Sequence, residues 1–222
     1  MQMDYLFDFS SLLPYTNVLA EGLLGTAIYA VLSIFFGLTL GAVCALTLLY
    51  GAKGWQRVVR CYVEFFRNTP SLVQLFLIYF GLPSLGVHLS PPVAGTIALS
   101  LYCGAYMTEI LRAGLISLPR GLSEAGEALG LSRRQIITHV LTLPAMQNVF
   151  PALASQMVLT LIGTSLISQI GVEEIFHNGS FVESRTFRSF EIYLLICGLY
   201  FFAVSLMKVV LRLVWYRFQE RR

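Results

Sequence analysis

Gln156, Thr160, Gly163 and Thr164 follow one another at i, i+4, i+7 and i+8 inside the apolar run Ala145–Val172. Residues at these spacings share one helical face. Two hydroxyls and a carboxamide at bilayer depth can exchange hydrogen bonds with a polar solute. Polar groups inside a membrane as a rule face the bundle interior or a wet cavity. Gln156, Thr160 and Thr164 are therefore candidate lining of a translocation path, with Ser165 and Gln74 as further members. Ser100, Gly104 and Thr108 share a second helical face, beside Glu109. For Ser100, Gly104, Gly163, Gly37 and Gly41 the favoured reading is close helix packing. Bond-breaking chemistry has no visible carrier. The sequence holds no GxxxxGK[ST] phosphate loop, and His88, His139 and His177 lie in separate segments without a triad or metal-ligand cluster. No catalytic residue, metal or cofactor is expected on this chain. Energy for active transport has to come from a partner.

The chain has 222 residues, of which 56% are hydrophobic and 12% charged. Soluble domains carry roughly 25% charged residues. Half that value implies an all-α integral membrane protein. The net charge of +3 is small, which argues against nucleic acid as a partner. Cys44, Cys61, Cys103 and Cys197 are scattered through apolar segments without a CxxC pair, and read as free thiols acting as small apolar residues. The first residues carry Asp4 and Asp8 and no basic region, and the apolar run that follows is too long for a signal core, so no cleaved signal is expected.

A membrane-spanning helix needs about 20 mostly apolar residues. Four such runs lie near Gly22–Tyr50, Val93–Ile116, Ala145–Val172 and Ile192–Val214. Val58–Leu82 is a fifth, interrupted by Glu64, Arg67, Asn68 and Pro70, and is expected to be broken or kinked. Glu64, Arg67, Glu109 and Arg112 are expected to pair with one another or reach the interface. Basic residues concentrate on cytoplasmic loops. An external N-terminus puts Lys53, Arg57, Arg60, Arg67, Arg112, Arg120, Arg133, Arg134, Lys208, Arg212, Arg217, Arg221 and Arg222 inside, and only Arg185 and Arg188 outside. The expectation is a single domain over residues 1–222, with five spans and a cytoplasmic C-terminus. The segment Gly171–Glu191 becomes an external acidic loop, with Gly179 marking a turn.

Between spans three and four, residues 117–143 form a polar cytoplasmic loop. Ser123 is a candidate cap for a short helix Glu124–Leu129, with Glu124 and Glu127 suiting its positive end. Gly130 reads as a left-handed terminator. Ser132 and Gln135 read as a capping box opening a second helix through about Leu143, just before Pro144. The small residues Ala125, Gly126 and Ala128 leave the first helix thin, with a flat side suited to a groove on another protein. On these residues alone, an ordinary surface loop is an equal reading.

The stretch Glu124-Ala125-Gly126 followed by Leu129-Gly130 resembles the EAA-type coupling loop of ABC-importer permeases. Other matches follow in order. They include Glu21-Gly22 with Thr26, Arg67-Asn68-Thr69-Pro70-Ser71-Leu72-Val73-Gln74, and Ala105-Tyr106 with Glu109, Arg112, Pro119 and Gly121. Leu143-Pro144, Pro151, Thr164-Ser165-Leu166 and Ile170-Gly171-Val172 continue the series. Together they resemble the polar amino acid subgroup, of histidine, glutamate, glutamine, arginine or opine type. Three positions depart from that pattern: Leu122 and Ala145 stand where relatives often have glutamine, and Ile162-Gly163 replaces a frequent Lys-Asp. The acidic member of that pair can contribute to substrate binding in the family. Its absence fits pairing with a second, ligand-holding permease.

The resemblance implies a type I ABC importer permease in a bacterial inner membrane. A periplasmic or extracellular amino acid-binding protein docks outside, and two ATPase subunits, holding ATP and Mg, grip the coupling loops. Glu124, Ala125, Gly126, Leu129, Gly130, Leu131 and Ser132 are the coupling candidates. An ATP-independent channel or secondary transporter is the alternative, with no use for a groove-fitting cytoplasmic module. A membrane anchor of an enzyme complex would call for paired histidines within spans, and none lies there.

Overall fold

A computed structural model describes residues 7–219; Asp4, Arg221, Arg222 and the side chain of Arg120 lie outside the described residues. The described chain is helical. A 3₁₀ turn at Ser10–Tyr15 leads into α1 (Thr16–Tyr50). Then come α2 (Lys53–Asn68), α3 (Ser71–Phe76) with its tail to Leu85, and α4 (Pro91–Ile116). Next are α5 (Arg120–Ala128), α6 (Arg133–Gln135), a π turn at Ile136–Leu141 and α7 (Thr142–Ile167). An external helix α8 (Ile175–Thr186) precedes α9 (Ser189–Gln219).

Three helical stretches, Ser10–Tyr50, Arg133–Ile170 and Ser189–Arg217, are long and apolar enough to cross a membrane by length and composition. The 26 residues of α4 reach about 39 Å at 1.5 Å per residue. The α2–α3 pair supplies the remaining crossing. The ends that carry Lys53 and Arg57, Arg133 and Arg134, and Lys208, Arg212 and Arg217 then share one face, the cytoplasmic one.

The fifth span is broken where expected. Thr69 is extended (φ −122, ψ 151) because the ring of Pro70 disfavours a helical residue before it. The carbonyls freed at the end of α2 are recovered by Gln74, whose Nε2 donates to Phe66 O at 2.9 Å, Thr69 O at 3.0 Å and Thr69 Oγ1 at 2.7 Å. Gln74 is thus the clasp of the break, a correction to its reading as path lining.

Two further expectations are corrected. The second cytoplasmic helix does not stop before Pro144; it continues into α7 as one rod, Arg133–Ile170. Pro144 cannot donate to Val140. The preceding π turn absorbs the mismatch, with Thr142 N–H on Ile137 O and Thr142 Oγ1 on the same oxygen at 2.6 Å. The external acidic loop is instead the helix α8, and its Glu174 and Glu191 are fully buried. Gly179 lies within α8, where an added Cβ would collide with Ile196 of α9.

The centre of the fold is the α1–α4 contact. A Cβ on Gly37 would sit 2.8 Å from Cys103 Cβ, and one on Gly41 2.6 Å from Met107 Cβ. Backbones approach this closely only where a side chain is missing. Cys103, Met107, Val149 and Leu153 fill the layer between α4 and α7. All four cysteines are free, with Cys44 and Cys103 buried. Gly41→Leu is expected to cost about 1–3 kcal/mol through overpacking. Gly54→Leu, whose Cβ meets nothing within 4 Å, is expected to change little. Thermal unfolding of the two variants in detergent checks the contrast.

Candidate functional site

The cytoplasmic module is built from local signals. Helix α5 begins at Arg120 rather than at Glu124, because Pro119 takes the boundary position with ψ 134 and the residues after it are free to turn. Ser123 is therefore inside the helix and not its cap, a correction to the expected start. The end is as expected. Gly130 is left-handed (φ 74); its N–H donates to Glu127 O at 2.9 Å, and Leu131 N–H reaches Gly126 O at 3.1 Å. Ser132 and Gln135 form the capping box, with Ser132 N–H on Gln135 Oε1 at 2.9 Å and Gln135 N–H on Ser132 Oγ at 3.4 Å.

This module is a folded unit. Gly126 is buried, and a Cβ there would stand 2.9 Å from Ile136 Cγ1, so the thin side of α5 seats the module on its own π turn. Arg133 lies over the Tyr50 ring at 4.7 Å, tying the module to the end of α1. Of the seven coupling candidates, Gly126 and Leu131 are internal or half-buried, while Glu124, Ala125, Leu129, Gly130 and Ser132 are exposed. Leu129 is 79% exposed at the tip. A large apolar residue held there by a capped turn is a ready anchor for a groove.

The predicted path residues of α7 lie elsewhere. Gln156, Thr160 and Thr164 are buried within the bundle. Thr160 Oγ1 donates to Gln156 O at 2.9 Å and Thr164 Oγ1 to Leu161 O at 2.8 Å. Both hydroxyls are thus satisfied by their own helix, and both residues pack the bundle instead of facing a cavity, which corrects the lining reading. Gln156 Nε2 has no partner among the described residues. Ser165, half-buried, donates to Ile162 O at 2.9 Å. The exposed stripe of α7 carries Ser155, Leu159 and Ile162.

A polar cavity of about 490 Å³ opens between α1, α2 and α4, lined by Arg60, Glu64, Arg67, Tyr106, Glu109 and Arg112. Arg112 grips Glu109 with two bonds, Nε to Oε1 at 3.2 Å and Nη2 to Oε2 at 2.7 Å. Arg67 stands 3.9 Å from the same carboxylate and lies over the Tyr106 ring at 5.4 Å. The expected pairing holds for Arg67, Glu109 and Arg112. Glu64 forms no ion pair within 4 Å among the described residues. Arg60, Glu64 and Arg67, at i, i+4 and i+7, had the spacing of a face; what was not legible was that this face stays open.

An all-helical membrane bundle with one broken span and a capped cytoplasmic module fits the transport subunits of the type I importer fold. Residues 37–221 match the family described as the binding-protein-dependent transport system inner membrane component, and the chain belongs to that family. It is 32% identical over 210 residues to the glutamine transport system permease protein GlnP of Escherichia coli (strain K12), covering 93% of this chain and 95% of that protein. It is 34% identical over 168 residues to the L-cystine transport system permease protein TcyB of Bacillus subtilis (strain 168), covering 76% of this chain and 72% of that one. The crystal structure of an amino acid ABC transporter with histidines matches with a TM-score of 0.87 at 32% identity, over 96% of this chain and 100% of that chain. The inward-facing MetNI methionine ABC transporter shares the fold, with a TM-score of 0.72 at 18% identity over 96% of this chain.

Ser132→Ala is expected to fray the module without unfolding the bundle. A lost cap costs about 1 kcal/mol, or roughly five-fold in local opening. Hydrogen exchange at the amides of Gln135 and Ile136 reads that change directly.

Proposed function

We propose that this chain is the membrane permease subunit of an ATP-driven importer for a polar amino acid in a bacterial inner membrane. The exposed Leu129 on a capped, seated module carries the reading. Leu129 stands 79% exposed between two satisfied helix ends, so its position is fixed while its side chain is open to a partner. In this reading the partner is a groove on a cytoplasmic ATPase. Two ATPase subunits hold ATP and Mg, and a binding protein delivers the amino acid from outside. The permease turns over no nucleotide itself.

The α1–α2–α4 cavity is the cytoplasmic half of the path in this reading. Its walls present guanidinium groups and carboxylates together, which suits a solute carrying an ammonium and a carboxylate. On α7, Gln156 and Ser165 remain as contributors to the outer half. Ile162, exposed and uncharged, stands where relatives often carry charge, and supports pairing with a second, different permease that holds the ligand. Lipid covers the remaining apolar surface.

ATP closure shifts the inward–outward equilibrium only through contacts that differ between the two states. The contact made through Leu129 is the one to remove. Leu129→Asp is expected to lower binding-protein-stimulated ATP hydrolysis roughly ten-fold or more, the scale of losing one buried anchor, with the bundle's thermal midpoint unchanged. Gly130→Asp is expected to leave the chain in the membrane and to uncouple it or release the ATPase. Gentle purification from the native host, with mass spectrometry of the co-purifying chains, tests the assembly. An ATPase with a second permease is the expected result. An intact preparation without any ATPase would move the chain to the ATP-independent channel reading.

A further inference from the structure

The rod Arg133–Ile170 spans about 57 Å at 1.5 Å per residue. Its far end therefore emerges on the face opposite the coupling module, and α8 begins five residues later. Helix α8 is not laid loosely on that surface. Its N-cap is Glu174, which is fully buried and accepts from His177 N–H at 2.8 Å. The same carboxylate accepts from Tyr200 Oη of α9 and from Thr26 Oγ1 of α1, the latter at 3.4 Å. Thr26 Oγ1 in turn accepts from Ile175 N–H at 3.2 Å. Thr164 of α7 lies beside the Tyr200 oxygen. One carboxylate thus joins the external helix to two spans, α1 and α9.

The packing around it leaves no play. On α1, a Cβ at Gly25 would overlap the Glu173 carbonyl, and one at Gly22 would come 3.0 Å from Glu174 O. Asn178 Nδ2 donates to Val18 O at 2.7 Å. On the other side, Gly179 admits Ile196 of α9. The opposite face of α8 is exposed, with Phe181, Ser184 and Arg185 at its surface and Arg185 over the Phe181 ring at 5.3 Å. A buried, shared carboxylate is a costly way to start a surface helix. Burial pushes the Glu174 carboxyl up, and the hydroxyl and amide donors pull it back.

We propose that Glu174 is a positioning residue for transport: it locks α8 to α1 and α9, so that a load placed on the exposed face of α8 by the docked binding protein moves these spans as a unit. Force or contact at a helix tethered only by exposed bonds dissipates in local fraying. Force at a helix clamped through a buried hub reaches α1, whose far end is tied to the cytoplasmic module by Arg133 over Tyr50. The inference rests on the importer reading above.

The test uses the complete transporter in nanodiscs with its own binding protein, screened with the common L-amino acids and L-cystine. The readout is the ratio of stimulated to basal ATP hydrolysis. Glu174→Ala is expected to lower that ratio about ten-fold, within the usual range of coupling free energies. Glu174→Gln keeps an oxygen acceptor for the His177 amide and turns its N–H groups toward the Tyr200 and Thr26 hydroxyl oxygens, which can accept instead, and is expected to stay within about two-fold of the unaltered complex. If Glu174→Ala does not assemble, Tyr200→Phe is read the same way, with a fall of about three-fold. An unchanged ratio overturns the proposal, including the case where basal and stimulated rates drop in step, as a purely structural role predicts. So does a glutamine variant as defective as the alanine one. If the unaltered complex responds to no loaded binding protein, the importer reading itself fails and takes this inference with it.

Discussion

The constraint on which the rest of this structure depends is that hydrocarbon offers no hydrogen-bond partner to the backbone. Each amide or carbonyl left open at that depth costs several kcal/mol. At Pro70 and Pro144, a side chain and an altered turn recover lost bonds. Pro70 opens the second crossing, and Gln74 recovers the carbonyls of Phe66 and Thr69 with one carboxamide nitrogen. Pro144 removes a donor at the base of α7, and the π turn with Thr142 re-routes the ladder to Ile137. The breaks are therefore fixed joints. They set the angle of an element without freeing it to flex.

Fixed joints give the molecule a mechanical character. The cytoplasmic module is seated by Gly126 on Ile136 and tied by Arg133 to Tyr50, so it is continuous with both α1 and the α7 rod. The rod runs unbroken to the opposite face, where Glu174 gathers α1, α8 and α9. Between these ends, Gly37 and Gly41 hold α1 against α4 at backbone distance. Sub-ångström shifts at one end are not absorbed by slack in such a core, since close-packed interiors move between discrete arrangements.

Much of this was legible from local signals. Gly130, Ser132 and Gln135 announce a turn and a capped helix by residue type and spacing, and the structure forms both. The break at Pro70 follows from the proline alone. What the sequence hid depends on tertiary partners. Gln74 looks like a solute-binding carboxamide until the orphan carbonyls of Phe66 and Thr69 are seen beside it. Thr160 and Thr164 share a polar face, but that face turns into the bundle, and each hydroxyl bonds its own helix. A serine at 123 and a proline at 119 compete for one helix start, and the proline wins by fixing the backbone. Glu174 reads as one of several acids in an external loop, although its position three residues before His177 is the spacing of a helix cap.

The distribution of charge separates the two halves of the molecule physically. On the outer side, the carboxylates of Glu174 and Glu191 are buried and fully committed: Glu191 accepts from Asp8 N–H at 3.0 Å and lies 3.7 Å from Arg188. Such groups hold shape, because removing one partner leaves a buried charge uncompensated. On the cytoplasmic side, Arg60 and Glu64 face an open cavity, while Glu109 is held by Arg112 and Arg67 in its wall. Water reaches these groups, so their charges stay solvated and are not locked into buried pairs. The committed acids thus hold shape on the outer face, and the cytoplasmic ones stay open to solvent.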